Sequence, residues 1–192
     1  MNRAFAGIFV ASLLAAACTT LVYTARYDLA LSSVERHERG GETQRFTGLQ
    51  GHVFEDEFLK ITWTPFETQL GLVLTNKTQF SQKVLSDEIT YVGPDGRVDR
   101  VVHESRPPSV VAGGGTLLDL LEPTAHIGAR IGGTRDAPLV GYSRGTSKAE
   151  VRSRMVHGTI KVLLPIETNG SVREYLFQFA VRGSVVLEGW SS

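Results

Sequence analysis

The pair Asn169-Gly170 sits between two apolar-rich runs, GTIKVLLPIET (158–168) and SVREYLFQFAV (171–181). Asn-Gly is the strongest short signal for a two-residue type I′ turn, because both central residues must take positive φ. A turn tip placed there assigns every cross-strand partner. Leu164 opposes Tyr175, Val162 opposes Phe177 and Ile160 opposes Phe179, all on one face. Lys161 opposes Gln178 on the other face. Leu163 opposes Leu176 there too, which predicts that this second face is partly covered. A slip of one residue would send every one of these side chains to the wrong face. Pro165 has no N–H for a ladder, so this strand is expected at a sheet edge or with a bulge.

Further runs repeat the period of two. LKITWTPF (59–66) sets Leu59, Ile61 and Trp63 on one face, and QLGLVLTN (69–76) does the same with Leu70, Leu72 and Leu74. Such alternation marks half-buried strands. EITYV and RVDRVVH flank GPDG (93–96), where Pro94 presets its dihedral and Gly96 can take positive φ, a hairpin with a three- to five-residue loop. TLLDLLEP (116–123) reads equally as a strand or a helical turn. One helix is expected in SKAEVRSRMVHG, where Ser147 and Glu150 have capping-box spacing and Gly158 ends the run. Residues 128–147 are rich in Gly and short polar residues and read as a long surface loop. Seven or eight short strands with turn punctuation predict a mainly β chain. The expected form is an antiparallel β-sandwich of immunoglobulin-like topology, with one short helix near 147–157.

Charge excludes some classes. Twenty Lys and Arg balance twenty Asp and Glu, with no block of one sign, so no nucleic-acid footprint is present. Cys18 is the single cysteine, which rules out an internal disulfide and a cysteine-based zinc site.

Cys18 follows a segment of different character. Residues 4–17, AFAGIFVASLLAAA, carry no charge and come after Arg3. Length and flanks match the n- and h-regions of an export signal. Ala15, Ala16 and Ala17 are small enough for a signal peptidase pocket. The stretch LAAAC resembles the lipobox of bacterial lipoproteins, with Leu14 at the fourth position before the cysteine rather than the third. The resemblance covers residues 1–18. It implies a diacylglyceryl group on the Cys18 thiol, cleavage after Ala17, and acylation of the new amino group. Two or more acyl chains anchor stably, whereas one is marginal. Thr19 stands where enteric members of the family use Asp for inner-membrane retention, so the resemblance implies the outer membrane, with the domain facing the periplasm. Residues 1–17 would be the signal peptide, 18–25 the lipidated cysteine and a short tether reaching at most ~25 Å, and 26–192 one domain. Two other readings stay open: an ordinary signal peptide with an incidental cysteine, and an uncleaved anchor running through CTTLVY, which is short of the roughly 20 apolar residues a spanning helix needs.

Motifs for chemistry are sparse. GYSRG (141–145) matches the nucleophile elbow of α/β-hydrolases, with Ser143 as nucleophile. The required acid and histidine would be Glu150 and His157, both on the one helix that follows, and the chain lacks a βαβ rhythm. His52 lies near Glu55, Asp56 and Glu57, and His103 beside Glu104; strands bringing such groups together would make a divalent-ion site, while solvated loops are the plainer reading. Gly113-Gly114-Gly115 lacks the spacing of a phosphate loop and reads as a turn. NKT (76–78) and NGS (169–171) match the N-glycosylation pattern. No catalytic residue, metal ligand or cofactor is assigned. The expectation is a non-catalytic envelope lipoprotein with a binding or accessory role and an envelope protein as partner. The alternatives are a small hydrolase using Ser143, and an assembly subunit that accepts a partner strand along the Pro165 strand or RPPSVV (106–111).

Overall fold

The computed structural model describes residues 20–66, 68–94, 96–103, 110–124, 144–145, 147–153 and 158–191, with the backbone alone at the outer ends of the first and last strands. Among the described residues thirteen strands form: β1 (Thr20–Glu38), β2 (Thr43–Thr47), β3 (Val53–Glu55), β4 (Leu59–Pro65), β5 (Leu70–Asn76), β6 (Gln82–Val84), β7 (Thr90–Val92), β8 (Val98–His103), β9 (Val110–Val111), β10 (Thr116–Pro123), β11 (Arg144–Gly145), β12 (Gly158–Thr168) and β13 (Ser171–Ser191). A 3₁₀ turn covers Ser86–Glu88, and helix α1 covers Lys148–Ser153.

The chain is mainly β, and every described pairing is antiparallel. The ladders run continuously in the order β11-β1-β13-β12-β7-β8-β10-β5-β4-β3, with β2 beside β1 and β6 joining β12 to β9. The immunoglobulin-like arrangement would have two separate sheets. Here β8 links the halves: residues 98–100 pair with β7 and residues 101–103 pair with β10. Past that corner the sheet lies over itself. Trp63 on β4 meets Phe177 and Phe179 on β13 edge-on, with centroids 5.0 and 5.7 Å apart. Phe54 on β3 meets Phe177 and Tyr175 at 5.7 and 5.9 Å. Edge-to-face pairs add about 0.5–1.5 kcal/mol each beyond the area they bury.

The β12–β13 hairpin has the register the sequence implies, including Ile160↔Phe179, Val162↔Phe177 and Leu164↔Tyr175. Asn169 and Gly170 take φ of 51° and 78°, as a type I′ turn requires. The β7–β8 hairpin closes through residues 93–97, with the Gly93 N–H on the Arg97 carbonyl. TLLDLLEP is strand β10, paired with β5 from Thr116 to Leu121. Ser147 caps α1 by accepting from the Glu150 N–H at 3.2 Å. Within the segment read as a long loop, Arg144–Gly145 form β11 and pair with Tyr23 and Thr24.

Two expectations need correction. Pro165 does not mark a sheet edge. β12 pairs with β13 on one side and with β7 and β6 on the other. The Pro165 carbonyl accepts from the Leu85 N–H, so its missing N–H faces the gap between those two partners, where the ladder has no donor to lose. The tether also differs. β1 starts at Thr20 and pairs with β13 from Thr20↔Ser191 onward, so residues 20–25 belong to the sheet. Their partner lies at the far end of the sequence, and no local pattern announces it.

Candidate functional site

The most developed polar cluster gathers at the β3–β4 turn. Asp56 follows β3, and its N–H donates to the Leu59 carbonyl, closing the hairpin. Its Oδ1 accepts from the Phe58 and Leu59 N–H groups at 2.8 and 2.9 Å, the local bonding that makes Asp a turn residue. Its Oδ2 accepts from Arg36 Nη1 at 2.7 Å and from the Tyr175 hydroxyl at 3.1 Å. The Asp56 carboxylate is 1% exposed. Arg36 Nη2 reaches Gln44 Oε1 at 2.7 Å and Glu57 Oε1 at 2.8 Å. Four separate strands therefore meet on one ion pair.

Arg36 faces inward because of a bulge. Leu31 pairs with Phe179 and Ser33 with Gln178, leaving Ser32 as the extra residue, its hydroxyl on the Gln178 carbonyl. The inward positions then switch from Leu29 and Leu31 to Val34 and Arg36. The Arg36 guanidinium lies 4.9 Å from the Phe58 ring centre, and the Arg173 guanidinium lies 3.7 Å from the same ring. Arg173 Nε is held by Glu38 at 2.6 Å.

Burial works against the Arg36 charge, but the hydrogen bonds that Arg36 donates to Glu57 and Asp56 outweigh it and raise the group above its ordinary value. Burial, reinforced by the Asp56 charge, pushes the Tyr175 phenol well up, so it stays a neutral donor. The hydrogen bond from Arg36 holds Glu57 below the usual carboxylate range. Lys77 does the same to Glu55 at 2.8 Å. The EDE run is thus three carboxylates served by two cations, Arg36 and Lys77, which together with the Tyr175 hydroxyl tie the β3–β4 turn to β1, the end of β5 and β13.

A second pair lies at the corner strand. His103 Nδ1 and Asp119 Oδ2 are 2.5 Å apart, and His103 Nε2 is 3.3 Å from the Ser86 carbonyl oxygen. Asp119 points to the inner face of β10, beside Leu117 and Leu121. Burial raises its carboxyl, with the His103 hydrogen bond and charge pulling the other way. The Ser86 carbonyl can only accept, so its contact is a hydrogen bond when His103 Nε2 carries the hydrogen. This pair fastens the 3₁₀ turn to the β8–β10 ladder.

Glu104, which follows His103 in the chain, lies outside the described residues, as do Ala17, Cys18, Ser143 and His157. His52 does not join Glu55, Asp56 and Glu57, because those carboxylates face cations. Among the described residues no cluster of three His, Cys, Asp or Glu side chains could hold a metal ion. Asn76 of the NKT pattern is buried, and its Nδ2 donates to the carbonyls of Phe80, Val111 and Ala112 at 2.7–3.1 Å, so its amide is committed to the fold. Gly114 takes φ of +71° in the turn before β10, as the plainer reading of the triple glycine expects.

The outer face of β4, β5 and β10 carries an open groove of about 380 Å³, with Phe66, Val73, Leu118 and Leu120 along it. Gly71 forms its floor, where an added Cβ would stand 3.0 Å from the Phe66 ring. No helix among the described residues is long and apolar enough to cross a membrane. No family model, no curated protein and no solved structure matches this chain.

Proposed function

We propose that this chain is a lipid-anchored cell-envelope protein that works by binding, in an accessory role, rather than by catalysis. The anchor is Cys18 and the cut falls after Ala17. The observation that carries the reading is the junction of LAAAC with the sheet: β1 begins at Thr20, so one residue separates the lipidation position from a strand held by β13. A lipid on Cys18 would then be coupled to the fold instead of trailing on a tether. The binding role is supported by the polar groups. Asp56, Glu55 and Glu57 are engaged by Arg36 and Lys77, and Asp119 by His103, an arrangement that commits these side chains to holding strands together.

The intact mass of protein extracted from membranes tests the anchor, beside a Cys18→Ser variant. A mass of residues 18–192 plus lipid, lost in the variant, is the expected result. An unlipidated wild type would overturn it. A fluorophosphonate probe tests the other half: labelling of Ser143 in folded protein would replace the binding role with a hydrolase.

A further inference from the structure

We propose that Trp63 and His52 form a small buried polar site that binds one hydroxyl group, from water or from a small alcohol-bearing molecule. The two residues are cross-strand neighbours. β3 and β4 pair through Val53↔Thr62, and the Trp63 N–H donates to the His52 carbonyl at 2.9 Å, extending the ladder by one hydrogen-bonded pair. Directly opposed residues project to the same face, with Cβ atoms about 5.5 Å apart. That face is the inner one, since Trp63 is 1% exposed and its ring packs on Phe177 and Phe179.

The Trp63 Nε1 and His52 Nδ1 atoms are both buried, and neither has a hydrogen-bond partner in the protein. Buried polar atoms are nearly always paired, so two such atoms on adjoining side chains point to a shared third party. An indole N–H can only donate. A neutral imidazole protonated on Nε2 presents Nδ1 as an acceptor. A hydroxyl accepts from one and donates to the other, and it is the smallest group that satisfies both. An anion is disfavoured there because the phenylalanine rings provide nothing to replace its hydration. The His52 carbonyl and the Trp63 backbone N–H are already used by the ladder. The site is independent of the lipid anchor and of the role proposed above.

Nitrogen-edited NMR on the folded full-length protein tests this, with Trp190→Phe assigning the two indole signals. The expected result is a Trp63 indole proton shifted downfield, a cross-peak from it to water, and an unprotonated His52 Nδ1. His52→Leu should abolish the cross-peak. Methanol, as the probe, separates the two sources: a saturable shift of the indole signal shows an exchangeable alcohol site, and a persistent water cross-peak shows a resident water. Either supports the proposal. An upfield indole proton with no water cross-peak would overturn it, because the N–H would then be pointing at a phenylalanine face. A protonated Nδ1, or a through-bond coupling between the two nitrogens, would overturn it too. The wild-type spectrum alone decides the matter if His52→Leu fails to fold.

Discussion

Asp56→Ala removes the acceptor that Arg36, Tyr175 and the Phe58 and Leu59 N–H groups share. Breaking a buried ion pair by deleting one partner costs roughly 3–5 kcal/mol, because the other charge stays buried. The stranded Leu59 N–H adds about 1–3 kcal/mol. Glu57 offsets part of this by keeping its contact with Arg36, although it is 59% exposed and its share is small. The net expectation is a loss of about 4 kcal/mol. Asp56→Asn keeps the oxygen that serves the two backbone donors and should lose about half as much. The paired change Asp56→Leu with Arg36→Met removes both charges and keeps apolar bulk beside Phe46 and Phe58, so it should be more stable than Asp56→Ala alone. Urea unfolding followed by tryptophan fluorescence measures all of these. A loss below about 1 kcal/mol for Asp56→Ala, or simple additivity of the Asp56 and Arg36 changes, would refute the claim that this pair is a buried node.

Asn76→Asp would set a carboxylate against three carbonyl oxygens, and a loss of about 3 kcal/mol or more is expected in the same unfolding assay. Gly113→Ala places a Cβ 2.6 Å from the Gln79 carbonyl oxygen, a backbone atom with little freedom to move, and should lower the melting temperature by an amount corresponding to about 1–3 kcal/mol. Glu57 has its carboxyl lowered by Arg36, so its stabilisation is present above about pH 4.5 and fades as pH falls through its folded value. Glu57→Gln should accordingly flatten the acid limb of the stability curve by no more than about 1 kcal/mol, while Asp119, raised by burial, acts in the opposite sense and weakens the fold as pH rises through the carboxylate range. Leu118→Lys, at a position 68% exposed, should leave stability within about 0.5 kcal/mol of wild type, as judged by the urea midpoint.

Much of the fold could be read from local pattern. The alternation in 59–76 and the Asn-Gly tip define strands and register, because side-chain direction repeats every two residues and a type I′ turn admits few sequences. The polar sites were not legible in that way. Arg36, Asp56 and Tyr175 lie 20 and 119 residues apart, and the bulge at Ser32 that turns Arg36 inward depends on pairing with Gln178. One signal was available: Asp56 precedes a turn into a strand, where a short carboxylate can bond the backbone ahead of it. Nothing nearby named its cation. Pro165 misled for a related reason, since whether a missing N–H matters depends on what faces it.

The amino-acid sequence by itself determined the mainly β class, the β12–β13 register and the start of the helix at Ser147. Each rests on residues within one or two turns of chain, where backbone geometry and steric preference act directly. The tertiary structure alone decided that β1 starts at Thr20 against the C-terminal strand, that β8 joins the two halves, and that His103 meets Asp119. Those outcomes follow from long-range packing, in which distant strands are chosen by the surface they bury together.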